Sequence, residues 1–112
     1  MKISVQAFEK GSVIALSGNL DSLSSPRVQP ELENLLAVQP GSIALECSGL
    51  AYLSSAGLRL LVTLAKKRKS PIILVGLNDN VREVLEIAGF FIIFKTASSL
   101  NQLSFYSPAP LG

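Results

Sequence analysis

Histidine and tryptophan are absent from this 112-residue chain, cysteine occurs once, and aromatic residues make up only 6% of it. Without histidine and with one cysteine, neither a His/Cys zinc site nor a Ser-His-Asp triad can be assembled from this chain alone. A single thiol excludes an intramolecular disulfide. Cys47 lies in an apolar run, where a buried and unreactive thiol is the ordinary case, and this suits a reducing compartment. The shortage of aromatics removes the stacking platform of a single-strand nucleic-acid binder. Charge is scarce too, at 16% of positions with a formal net charge of +2. Lys66, Lys67, Arg68 and Lys69 cluster where a helix is expected to end, and there they complement the helix dipole rather than mark a surface for nucleic acid.

The motifs G-x-S-x-G, G-x-x-x-x-G-K-[ST] and G-x-G-x-x-G are missing as well, which argues against a hydrolase elbow or an ATP site within this chain. No apolar run approaches the ~20 residues needed to span a bilayer, and the N-terminus lacks the pattern of a signal peptide. A cytoplasmic protein with no cofactor, no metal and no membrane insertion is expected.

What is present is a high apolar content, 48% of residues, enough for one core in one compact domain. Ile3, Val5 and Ala7 alternate with polar residues, and Val13 to Leu16 form a second run after Lys10-Gly11, which predicts an opening hairpin. Ser24-Ser25-Pro26 predicts a helix start, with Pro26 at the first position, a serine at the cap and Pro30 in or near the first turn. Val28, Leu32, Leu35 and Leu36 supply its apolar stripe. A strand over Ser42 to Cys47 and a helix from about Ser55 to Lys69 follow. Ile72 to Val75 read as an inner strand covered by helices. Asn78 or Asp79 caps a helix with Val81, Val84, Leu85 and Ala88 facing the core, which Gly89 terminates; Arg82 and Glu86 lie on its outside. Phe91 to Phe94 predict a last strand and Ala97 to Leu103 a last helix, with Phe105 and Tyr106 packing it down. The order is β-β-α-β-α-β-α-β-α, an α/β domain with a mixed sheet over residues 1–103 and a loose tail over 104–112.

Candidate chemistry gathers in Tyr52-Leu53-Ser54-Ser55-Ala56-Gly57-Leu58-Arg59, where two hydroxyls and a glycine fall between an apolar strand and a helix. In parallel sheets, sites collect at the carboxyl ends of strands, and Asp21 follows the second strand at that same edge. The helix stripe is expected at Leu58, Leu61, Val62 and Ala65, with Leu60 and Leu64 under a neighbouring helix or on a partner or self-association surface. A serine here is either a helix cap or, given the partial positive charge of the first turn, a favourable place for a phosphoryl group. Ser55 as an enzyme nucleophile would need a base, and only lysine or Asp21 is on offer.

Five stretches together resemble a STAS domain of the anti-sigma factor antagonist type. They are Gly18-Asn19-Leu20-Asp21 before Pro26; Leu45 to Leu50; Tyr52 to Arg59; Leu74-Val75-Gly76-Leu77; and Val81 to Glu86 before Ala88-Gly89-Phe90. Ser55 matches the family's phosphorylated serine, Ala56 and Gly57 the small residues after it, and Asp21 an acidic position near the phosphosite. Ser54 stands where the better-known form of the motif has aspartate.

The resemblance implies a non-enzymatic partner switch. An anti-sigma factor that is also a serine kinase binds the unmodified protein, phosphorylation of Ser55 releases it, and a PP2C-type phosphatase reverses the modification. Asp21, Ser54, Ser55, Ala56, Gly57 and Arg59 are the implied partner-binding residues. A dianion on an acidic or apolar docking surface disrupts it, and a loss of about 3 kcal/mol lowers affinity roughly a hundredfold. The alternative is a STAS module that binds without being phosphorylated, as a structural or transport-system subunit, with Ser55 serving only as a cap.

Overall fold

The computed structural model describes residues 1–39, 41–68, 71–89 and 93–106. Strands β1 (Lys2–Ala7) and β2 (Gly11–Leu20) form the expected hairpin, followed by α1 (Ser24–Val38), β3 (Ser42–Leu53), α2 (Ser55–Lys66), β4 (Ile72–Val75), α3 (Asp79–Ile87) and β5 (Phe94–Ala97). A short 3₁₀ turn, Leu100–Gln102, comes last. The five strands lie in sequence order. The β1–β2 pair is antiparallel and every later pair is parallel.

Each parallel step moves the same way across the sheet, and right-handed crossovers then place all three helices on one face. That face holds the main core. Ile14, Leu16, Ile43, Leu45, Ile72 and Leu74 from the strands meet Leu32 and Leu36 of α1, Leu60, Leu61 and Leu64 of α2, and Val81 and Leu85 of α3. The opposite face carries a smaller cluster of Val13, Ala44, Val75 and Leu103, over which Phe8, Leu100, Phe105 and Tyr106 pack. β4 is therefore buried on both faces, although helices cover only one. Tyr106 meets Phe8 edge-on at 5.3 Å between ring centroids. The two aromatics near the end of the chain thus pack the β1–β2 turn.

Several elements depart from the sequence expectation. β3 runs to Leu53 because two register shifts against β2, one between Ala15 and Ser17 and one between Gly18 and Asn19, insert extra residues into β3. Bulges of this kind break the period-two pattern, so the strand does not read as one. Pro30 falls in the second turn of α1, because Asp21 rather than a serine opens the helix. Pro30 is exposed, as is Pro26, whose carbonyl is the one that the missing N–H would have served. On α2 the fully buried side chains are Leu60, Leu61 and Leu64, while Leu58, Val62 and Ala65 are only partly covered. β5 begins at Phe94 and extends through Ala97, and the last helix is reduced to the 3₁₀ turn. Phe91, Ile92, Lys69 and the tail prolines lie outside the described residues.

Candidate functional site

The two hydroxyls at the end of β3 have different environments. Ser54 is the N-cap of α2, with extended backbone and a side-chain oxygen that accepts the Gly57 N–H at 3.2 Å. Its own amide donates to the carbonyl of Leu20 at 3.0 Å, and its carbonyl accepts the Leu58 N–H at 2.8 Å. Ser54 is therefore fixed by three hydrogen bonds. Ser55 follows at the first helical position, exposed, and its hydroxyl makes no hydrogen bond to any described residue. The capping role weighed for Ser55 belongs to Ser54, and the Ser55 hydroxyl is left accessible.

Gly57 explains how this junction packs. A β-carbon there would overlap the Leu20 carbonyl oxygen and stand 2.9 Å from Leu53 Cδ1. Only glycine lets the first turn of α2 rest on the ends of β2 and β3. Gly57 is itself buried, so it shapes the site from within. Ala56 is partly buried beside the cleft between α1 and α2, which it lines with Ser22, Ser25, Gln29, Arg59 and Leu60.

Asp21 stands on the neighbouring connection, one residue past Leu20, which pairs with Leu53. Its carboxylate is engaged locally. Oδ1 accepts the Ser24 N–H at 2.9 Å and the Leu23 N–H at 3.0 Å, and the Asp21 N–H donates to Ser24 Oγ at 3.0 Å. This reciprocal arrangement is a capping box for α1. The Ser24 N–H, with help from Leu23 and the Ser24 hydroxyl, holds the carboxyl below the ordinary value of 3.8, against a smaller opposing effect of desolvation. Asp21 shares the sheet edge with Ser54 and Ser55, and its charge is directed to the first turn of α1.

Arg59 completes the set. It is exposed, four residues after Ser55, and both line a shallow groove of about 200 Å³ with Leu58 and Val62. Two large apolar side chains at the same sheet edge, Leu23 at 74% and Tyr52 at 55%, are exposed. The helical spacing alone did not single these out. The groove beside Ser55 thus combines an accessible hydroxyl, one cation and two apolar side chains, with Leu23 and Tyr52 exposed at the same sheet edge. Among the described residues, no group of His, Cys, Asp or Glu is disposed to hold a metal ion. No described helix is long and apolar enough to cross a membrane.

A mixed five-stranded sheet with one helical layer and a serine at the β3–α2 junction defines a STAS-type domain. Residues 3–93 match the family model described as "Mlab, STAS domain". BtrV of Bordetella bronchiseptica, assigned as an anti-sigma factor antagonist, is 31% identical over 102 residues, covering 88% of each chain. An anti-sigma factor antagonist from Mycobacterium paratuberculosis has the same fold, with a TM-score of 0.81 at 20% identity over 89% of this chain and 87% of that one. The Bacillus cell fate determinant SpoIIAA in its phosphorylated form superposes with a TM-score of 0.64 at 17% identity, over 87% and 92% of the two chains. The chain belongs to the STAS-domain family of anti-sigma factor antagonists.

Proposed function

We propose that this protein is a cytoplasmic partner switch. Unmodified, it binds an anti-sigma factor that is also a serine kinase; phosphorylation of Ser55 releases it; a PP2C-type phosphatase restores binding. The observation that carries this reading is the division of labour between the two serines. Ser54 holds the helix end, so Ser55 can be modified without loss of the cap. Leu23, Tyr52, Leu58 and Val62 supply apolar contact area for a protein partner. In the transfer, the γ-phosphorus of ATP bonds to Ser55 Oγ as its bond to the β–γ bridging oxygen breaks. ADP leaves with that oxygen, and the hydroxyl proton passes to a base of the kinase. The dianion then occupies the first turn of α2, in the middle of the docking surface.

The test is capture from source-cell lysate by the native protein and by Ser55→Asp, followed by incubation of the captured material with magnesium and ATP. Retention of an ATP-binding anti-sigma factor by the native form only, together with a phosphopeptide containing Ser55, is the expected result. Equal capture by both forms without the phosphopeptide would identify a constitutive binding module.

A further inference from the structure

We propose that Arg59 is the internal counter-ion of a phosphate on Ser55. After modification its guanidinium pairs with the phosphoserine one turn before it, holding the dianion against α2 and withdrawing the cation from the docking surface. This deepens the reading of Ser55 as a phosphoacceptor and rests on it.

The unmodified helix has an electrostatic vacancy. α2 contains no acidic residue, in its first turn or beyond, so the helix supplies no carboxylate of its own to its N-terminal partial charge; α3, by contrast, carries Asp79 there. The Arg59 guanidinium makes no hydrogen bond or ion pair with any described residue, and the residue's carbonyl accepts the Thr63 hydroxyl at 2.9 Å, whereas Lys67 pairs with Glu33 and the Arg68 guanidinium donates to two carbonyls. Asp21, the acid at the adjacent strand end, is already committed to the first turn of α1.

A phosphate on Ser55 answers both lacks. At the first helical position it meets the partial positive charge of the helix N-terminus. An anion four residues before a cation is also the favoured order for a helical pair. Ser55 and Arg59 line one groove, with Leu58 and Val62 as its apolar walls. A fork of N–H donors can reach a phosphate there in a geometry that a lysine matches less well. Modification therefore changes the surface twice, by adding a charge of about −1.5 to −2 and by neutralising the one cation of the groove. A partner carboxylate that docks on Arg59 loses its contact as it meets the dianion.

The pairing can be measured without any kinase by installing phosphoserine at position 55 through genetic encoding, in the native chain and in Arg59→Gln. In the native chain the phosphate is expected to raise Tm by roughly 4 °C, and in Arg59→Gln by about half of that. The Arg59 Nε–H resonance should shift on modification, and Arg59→Lys should recover part of the lost Tm. An equal gain in both chains, or an Arg59 resonance that does not move, would overturn the proposal. Because the phosphate is installed directly, that result would leave the partner switch standing, while failure of the lysate experiment would remove the occasion for the pairing without changing the Tm result.

Discussion

The carbonyl oxygen of Leu20 serves both residues that open α2: it accepts the Ser54 N–H at 3.0 Å and forms the wall against which Gly57 rests. One backbone atom at the end of β2 thus sets where α2 begins. Gly57→Ala would force a methyl group into that carbonyl, and neither the strand nor the helix can yield cheaply. The expected cost is about 2–3 kcal/mol, at the upper end for overpacking, read as a lowered urea midpoint. Amide resonances of Ser54 and Ser55 should move most, because the strand-to-helix junction has to open.

The two serines should separate cleanly by substitution. Ser54→Ala removes the acceptor for the Gly57 N–H and should cost about 1 kcal/mol. Ser55→Ala removes an exposed hydroxyl that has no partner among the described residues and should leave stability within about 0.5 kcal/mol. Chemical denaturation of both variants checks this, and a larger loss from Ser55→Ala would return the cap to Ser55.

The junction was legible in the sequence because its signals are local: an apolar strand, a serine pair, a glycine and a helical run. The hairpin, β4 and α3 were legible for the same reason, with Asn78 accepting the Val81 N–H and Gly89 ending the helix at φ 72°. What escaped depends on residues distant in sequence. The second half of β3 is hidden by bulges that exist only against β2. The face of α2 that turns inward was ambiguous because Leu58, Leu60, Leu61, Val62, Leu64 and Ala65 wrap much of the helix. The approach of Gly57 to Leu20 decides it. Serines 24 and 25 masked the cap at Asp21, and Ser25 instead became buried.

Cys47 gives a pH-dependent prediction. Burial, with a lesser contribution from the Glu46 charge, pushes its thiol from the ordinary 9.0 up to about 12. Below pH 9 the thiol is protonated in both folded and unfolded chains. Between 9.0 and about 12 the unfolded chain ionises and the folded one does not, so stability contributed by Cys47 falls as pH rises. Cys47→Val should remove this component, and its stability should decline less steeply than that of the native chain by up to about 1.4 kcal/mol per pH unit. At pH 8 a thiol reagent should modify the folded protein at least ~10³-fold more slowly than the unfolded chain, since reaction requires opening of the core.

The far end of α2 is tied down by a contact that charge patterning alone did not show. Arg68 follows the helix, where a basic residue is expected to complement the helix dipole. Its guanidinium also donates to the carbonyls of Leu36 at 2.6 Å and Gly41 at 2.7 Å, bridging the end of α1 and the start of β3. The Leu36 carbonyl is one of those a helix end leaves without an internal partner, and a charged donor satisfies it. Arg68→Ala should therefore cost about 1–2 kcal/mol, well above the effect of an ordinary surface substitution. Arg68→Lys should recover about half, because an ammonium can serve one carbonyl well but lacks the fork that spans both. Hydrogen exchange should locate the damage in the last turn of α1 and at Ser42, whose amide donates to Lys10 at the adjacent strand end, while protection at Ser54 and Gly57 stays unchanged. Loss of protection at the serine junction instead would show that the two ends of α2 are coupled through the helix.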